Sequence, residues 1–399
     1  MAKLKIAKFD NARIDGEKIY FFALTVTLIV SFIINTSFMP FFEVKHLNWF
    51  NYLMVGILLL KIYIFDEYSF KGYIGVTLIL LLGAISWRKT GNNSLMVLMT
   101  FMVGAKQIDF HKIIERYYQT NLIMLLLVMI YSLSGIIQNF VFLRDDIYRY
   151  SLGIDYPTDL ASYVFFLVLA YCYLNYQKLN YKFYLVTIGL SMMVYFITNS
   201  RLDTILIMLV IPLMYIARKA QFYQKQNKLI DYSVDHFWAL SIILPYVYIL
   251  LTSYFSPHNA LLKKLNEVLS GRLNYGHIAL SRYNYSLFGQ KIIEHGWGGL
   301  KGFHLSRNNV AAYFYIDSSY IRLIVIYGII IGLVLMIVMI IISIRETIKK
   351  QYALPTIILL VMISSMIDQH LLEITYNIFI LALFANTGES KNAKKLFNK

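Results

Sequence analysis

KLNYKFYLVTIGLSMMVYFITNSRLDTILIMLVIPLMYIARK, residues 178–219, decides the fold. It holds two apolar runs, 182–199 and 202–217, each close to the roughly twenty residues that cross about 30 Å of hydrocarbon. Lys178 and Lys182 stand at the start of the first run, Arg218 and Lys219 follow the second, and the break between them is Thr198-Asn199-Ser200-Arg201-Leu202-Asp203. A lysine-rich gap, a lysine-poor gap and a lysine-rich gap in succession is the pattern of a chain that crosses a membrane and returns, because basic loops stay on the cytoplasmic side.

The same alternation extends in both directions. Apolar runs recur near 18–38, 49–65, 72–87, 93–108, 120–142 and 160–177 before this stretch, and near 235–255, 318–344, 354–369 and 371–387 after it. They predict an all-α polytopic transmembrane protein of about twelve spans. Residues 1–255 would hold nine spans with short loops, 256–317 a long outer loop, and 318–399 three more spans and a tail. One set of gaps collects Lys3, Lys5, Lys8, Arg13 and Lys18, then Lys61 and Lys71, Lys106, Lys112 and Arg116, and later Arg345, Lys349 and Lys350. The opposite short gaps hold only Lys45, Arg88, Lys89, Arg144, Arg149 and Arg201. Both termini are therefore expected in the cytoplasm, with a retained signal anchor at the start.

Composition excludes most other classes. Of 399 residues, 58% are hydrophobic and 15% charged, more apolar surface than a soluble domain could cover. A net charge of +15 would suggest nucleic acid in a soluble protein, but here the basic residues report topology, and no nucleic-acid partner is expected. Cys172 is the one cysteine, so there is no disulfide framework or thiolate metal site. His295 and His304 lack partners at zinc-ligand spacing, and no Walker motif or dinucleotide fingerprint is present. No metal and no cofactor are expected, which leaves arginines and a single base to carry any chemistry.

The lysine-poor gaps hold the candidates. The 198–203 break is too short to leave the membrane far, and ionisable groups there cost free energy, so Arg201 and Asp203 either meet a ligand or neutralise each other. The loop Arg144–Asp159 contains Gly153 and Pro157 and reads as turn-rich, with Thr158 or Asp159 placed to cap the next helix and Arg149 near that anion-friendly terminus. The gap 256–317 is too long for an idle connector. Apolar spacing across 261–294 predicts amphipathic helices on the membrane surface. Arg322 falls about one turn into the next apolar run, where Asp317 or Asp203 is expected to pair with it.

Four segments resemble a known family. Arg149-Tyr150-Ser151-Leu152-Gly153-Ile154-Asp155-Tyr156-Pro157 resembles the R-x-S-L-G-F-x-H-P-N loop of bacterial polysaccharide repeat-unit polymerases of the Wzy class, with Asp155 and Thr158 departing from its His-side and Asn positions. Asn199-Ser200-Arg201-Leu202-Asp203 is similar to that class's S-R helix start. Ser270-Gly271-Arg272-Leu273-Asn274-Tyr275-Gly276 with Leu287-Phe288-Gly289 resembles the S-G-R-x-x-x-G … L-F-G stretch of Gram-positive capsule and exopolysaccharide polymerases. Asp317-Ser318-Ser319-Tyr320 with Tyr327-Gly328 resembles their D-x-x-Y … Y-G entry to a late span. The likeness covers roughly residues 120–330.

The resemblance implies a GT-C-like fold, shared broadly with O-antigen ligases, in a bacterial cytoplasmic membrane. It also implies metal-independent, inverting glycosyl transfer on the outer face between undecaprenyl-diphosphate-linked oligosaccharides, with membrane lipids around the protein and a flippase and chain-length regulator as partners. A diphosphate leaving group needs charge stabilisation, which guanidinium groups supply bidentately. Arg201 and Arg272 are the first candidates, then Arg149, Arg322 and Arg282. Asp317 leads as the base for the acceptor hydroxyl, ahead of His304 and Asp203, and Tyr283, Tyr275 and Tyr156 would stack on sugars. A ligase that moves finished glycan, or a flippase for lipid-linked sugar, are the alternatives.

Overall fold

The computed structural model describes residues 15–222, 228–308 and 313–388. Its helices are α1 Gly16–Ile34, α2 Val44–Leu60, α3 Phe70–Thr90, α4 Ser94–Gly104 and α5 Phe110–Leu133. A hairpin follows, β1 Val141–Arg144 paired antiparallel with β2 Ile147–Tyr150. Then come α6 Pro157–Leu174, α7 Tyr181–Thr198, α8 Arg201–Phe222, α9 Lys228–Asp235 and α10 Phe237–Ser253. Three short helices, α11 Ala260–Val268, α12 Arg272–Arg282 and α13 Gly299–Asn308, precede α14 Ser319–Arg322, α15 Ile329–Ile348 and α16 Ala353–Ser364.

Eight of these helices are long and apolar enough to cross a membrane, or nine if α9 and α10, bent by 56° at their junction, form one span. The architecture is that of an all-α polytopic membrane protein. The long helices turn apolar faces outward, with Phe70 82% and Phe196 78% exposed, as lipid-facing surfaces require. Local signals start and stop them. The Asn180 side chain accepts from the Lys182 and Phe183 amides at the start of α7. At its end Asn199 adopts the left-handed conformation, φ 47°, and α8 begins two residues later.

The expected twelve spans need correction in five places. Runs 93–108 and 354–369 contain helices of only 11 and 12 residues, α4 and α16, both buried along most of their length. Run 318–344 is interrupted by a wide turn over 323–327 and by Gly328, φ 98°, so its long helix begins at Ile329. Run 120–142 ends as helix at Leu133 and passes into β1. Run 371–387 is not a span: it folds as short 3-10 turns packed inside the bundle. For the buried segments, 93–108, 318–327, 354–369 and 371–387, the cause is common. Hydropathy registers apolar side chains, and it scores a segment buried in protein as highly as one buried in lipid.

The irregular segment 365–388 needs its backbone satisfied without a helix. Side chains do this. The Tyr117 hydroxyl donates to the Thr375 and Tyr376 carbonyls at 3.0 and 2.7 Å, and Asn121 Nδ2 to Thr375 at 3.0 Å. Arg345 donates to the Leu383 and Ala382 carbonyls at 2.9 and 2.6 Å, and Arg272 Nε to that of Ile367 at 2.6 Å. α16, which leads into this segment, packs against α6, α8, α10 and α15 at the centre of the bundle.

Candidate functional site

Where the C-terminus of α1, the start of α6, the 294–302 segment and residues 369–376 converge, the fold leaves a cavity of about 530 Å³. Five carboxylates line it, Asp155, Asp159, Glu294, Asp317 and Glu373, together with the rings of Tyr156, Trp297, Tyr313, Tyr315 and Tyr376. His295, Lys301 and His370 complete its ionisable groups. Among the described residues, no cluster of three or more His, Cys, Asp or Glu side chains is arranged to hold a metal ion.

Asp317 stands two residues before α14, whose N-cap is Ser318, so its carboxyl is not used in capping. Burial pushes that carboxyl up to about 6, against the pull of Arg272 and Arg322 and with the push of Asp368 and Asp159. A group titrating there is a carboxylate at neutral pH yet basic enough to accept a proton. Burial and the charge of Asp159 push Asp155 up to about 8, so at neutral pH it is a hydrogen-bond donor. His370 is buried between Asp159 Oδ1 and Glu373 Oε1, each 3.4 Å from a ring nitrogen, and its ring stacks on Tyr376 at 3.7 Å. Burial lowers its pKa, but the two carboxylates outweigh burial and hold it at about 10. His370 is thus an imidazolium in the cavity wall and not a base.

The arginines fall into distinct environments. Arg272 follows Ser270 and Gly271, both at positive φ, which turn α11 into α12 and aim the guanidinium at Asp317, Asp368 and Asp203. Arg149 is 2% exposed: Nε donates to the Thr198 carbonyl at 2.7 Å, Nη1 to the Tyr156 hydroxyl at 3.2 Å and Nη2 to Ser200 Oγ at 3.5 Å. It ties β2 to the α7–α8 turn and to the cavity's own Tyr156. Arg201, at the start of α8, is exposed and makes no hydrogen bond or ion pair among the described residues. Arg144 donates Nη2 to the Asn199 carbonyl at 3.0 Å, while its Nε and the Asn199 Nδ2 are buried without partners among the described residues. Burial and the nearby charges of Arg149 and Arg201 destabilise the Arg144 cation. Three guanidiniums gathered at a helix N-terminus, with two unused donors, suit an anion.

Other expected residues lie elsewhere. Arg322 pairs not with Asp317 or Asp203 but with Glu294, Nη1 to Oε1 at 2.8 Å, and also donates to the Ile316 carbonyl at 3.0 Å. Glu294 reaches it because the 294–296 segment bridges to Phe314 beside it. Asp203 does not neutralise Arg201: it is buried on the other face of α8, accepts from Ser162 Oγ at 3.3 Å and neighbours Asp368, which shares that hydroxyl at 3.4 Å. Asp159 is no cap either. α6 starts at Pro157, and the Asp159 carboxylate turns toward His370. Arg282 is exposed over the Phe314 ring at 4.8 Å, Tyr283 is half-buried beside the same ring at 6.1 Å, and His304 is exposed on α13 outside the cavity lining. Tyr275 meets Tyr313, a lining residue, edge-on at 5.1 Å.

Sequence reasoning missed Arg144, Asp155, Asp159, Lys301, Asp368, His370 and Glu373 as site residues. A signal existed for three of them: Asp368, His370 and Glu373 interrupt an apolar stretch with ionisable groups, and such groups at membrane depth mark a cavity or pathway. No protein-family model matches this chain, and no curated protein or solved structure does either.

Proposed function

We propose that this chain is a membrane-embedded glycosyltransferase that polymerises lipid-linked oligosaccharide repeat units on the outer face of a bacterial cytoplasmic membrane, as its loops resemble. The observation that carries the reading is the cavity that sets Asp317 among five aromatic rings. Aromatic faces stack on the C–H faces of sugars, carboxylates accept from hydroxyls, and a base titrating near 6 suits proton removal at neutral pH.

In this reading the acceptor hydroxyl attacks the donor's anomeric carbon from the face opposite the diphosphate. A new glycosidic C–O bond forms, the bond from the anomeric carbon to the diphosphate oxygen breaks, and the hydroxyl proton passes to Asp317. The diphosphate departs with the bonding electrons. Arg272, beside Asp317, and the Arg144–Arg149–Arg201 cluster, joined to the cavity through Tyr156, are the cations that would stabilise it. Such preorganised charge lowers barriers because it acts only as charge develops.

The test is the lipid-linked glycan of cells lacking the chain, complemented by wild type, Arg201→Ala or Arg272→Ala. Single repeat units on the outer leaflet, with no polymer, support the polymerase, and both variants are expected to approach that state, with only residual polymer, while inserting normally. Long lipid-linked polymer awaiting transfer would make the protein a ligase. Single units trapped on the inner leaflet would make it a flippase and remove every catalytic role given above.

A further inference from the structure

A second cavity, of about 360 Å³, adjoins the first, and Asn35, Tyr315 and Glu373 line both. Its chemistry differs. The first is crowded with carboxylates, whereas the second is walled by the carboxamides of Asn48 and Asn51 on α2 and Asn92 and Asn93 at the α3–α4 turn. A carboxamide offers donor and acceptor side by side without net charge, which is what a hydroxyl pair on a sugar ring needs.

The wall holds one unmet demand. Asn51 is 4% exposed, its Nδ2 donates to Ser31 Oγ at 3.3 Å, and its Oδ1 has no hydrogen-bond partner among the described residues. A buried acceptor left unsatisfied is costly, so a turn of this side chain that offers the oxygen to a donor from a bound molecule would be favoured. The rest of the wall is preorganised: Asn93 Nδ2 donates to Asn48 Oδ1 at 3.0 Å, and Asn92 Oδ1 accepts from the Ser94 amide at 2.8 Å. An anion is disfavoured, because Glu373 stands in the wall and the Arg322 guanidinium is already held by Glu294. An apolar tail is disfavoured by the amides themselves.

We infer that this amide-lined cavity is a second carbohydrate subsite, continuous with the first across Asn35, Tyr315 and Glu373, and selective for a sugar unit without an anionic substituent. The inference rests on the carbohydrate reading of the first cavity. A glycan extending beyond one repeat unit then occupies both cavities, with Tyr315 at the passage. Arg322 lines the second cavity and Glu294 the first, and the two pair beside that ring, the guanidinium 5.2 Å from its centre, so the cation in the wall is already neutralised.

The test uses the full chain in nanodiscs and two probes released by mild acid from the lipid-linked pool of producing cells, the one-unit and two-unit oligosaccharides. Asn51→Leu removes the orphan acceptor. Asn93→Cys, alkylated with a maleimide only after the folded protein is purified, fills the subsite with folding already complete, and the native Cys172 is buried and spared. Both should weaken two-unit binding by about three- to tenfold or more, as lost hydrogen bonds do, and leave one-unit binding within about twofold. Trp297→Ala, in the first cavity, should weaken both probes. If wild type binds both probes and the alkylated Asn93→Cys protein binds them equally well, the second subsite is wrong and the first cavity stands. If wild type binds neither probe, the carbohydrate reading fails and takes the subsite with it.

Discussion

Under the proposed glycosyl transfer, Asp317 should set the pH at which activity switches on, and its neighbours say how to move that point. As a base it works only as the carboxylate. With its carboxyl at about 6, roughly 97% is ionised at pH 7.5 and roughly 9% at pH 5, so the rate should fall about tenfold between them. Asp317→Asn should lower turnover by about 10²- to 10⁴-fold, the usual worth of a positioned base, and erase the acid limb. Two further variants give opposite shifts. Arg272 holds the Asp317 carboxyl down, so Arg272→Ala should move the limb to higher pH, while Asp368 pushes it up, so Asp368→Asn should move it to lower pH. Arg272→Lys keeps the charge and should shift the limb less than Arg272→Ala. The assay is the initial rate of polymer formation by purified protein in nanodiscs, with lipid-linked single units, from pH 4.5 to 9. Wild-type turnover in Asp317→Asn with the limb intact would refute the assignment. A limb that ignores both neighbours would mean that another group titrates.

Stability should respond to pH through Asp155. Its carboxyl binds a proton more tightly folded, at about 8, than at its ordinary value of 3.8, so stability is highest below the ordinary value and declines as pH rises through the folded one. Asp155→Asn should flatten that decline, read as melting temperature at pH 5 and pH 9. At the other end of the bundle, Lys61 and Asp66 are 1% and 5% exposed and paired at 2.8 Å. Lys61→Met strands a buried carboxylate at a cost of about 3–5 kcal/mol, and Lys61→Met with Asp66→Leu should recover most of the loss in denaturant titrations. Gly289, φ 94°, lies so close to the 323–327 turn that a Cβ would stand 2.6 Å from the Ile326 carbonyl oxygen. Gly289→Ala should therefore lower the melting temperature by several degrees, whereas Gly75→Ala, in open space on α3, should not.

The long outward-facing helices were legible because lipid-facing helices carry their signal in consecutive residues. Runs 182–199 and 202–217 lie on α7 and α8 within a few residues of their ends, and the break between them is a true turn at 199–200. The interior was not legible in the same way. α16 and the 371–387 run are as apolar as spans but are buried by protein, and nothing in a hydropathy profile distinguishes the two surroundings. The site was half legible. Arg149, Arg272 and Asp317 stood out as charges beside turn residues, and each is held near the cavity. Asp155 and Glu373 are more than two hundred residues apart, and only the packing of α6 against α16 and the inward fold of 365–388 brings them to one wall.

That inward fold explains why so many polar side chains sit on the helices. In hydrocarbon a non-helical backbone survives only if protein groups satisfy it, so a bundle with an irregular core must place donors on the helices around it. Tyr117, Asn121 and Arg345 do so, on α5 and α15. Each would read as a candidate functional polar residue in a membrane helix, and each is spent on a carbonyl of the 375–383 stretch. Arg272 is divided between the two tasks: Nε anchors the Ile367 carbonyl while the cation faces Asp317. The core segment thus carries His370 and Glu373 into the cavity, and Arg272 couples its position to Asp317. A substitution at Arg272 changes the charge at Asp317 and loosens the backbone leading to His370 together. Arg272→Lys, which keeps the charge and loses the fork, is the variant that separates the two effects.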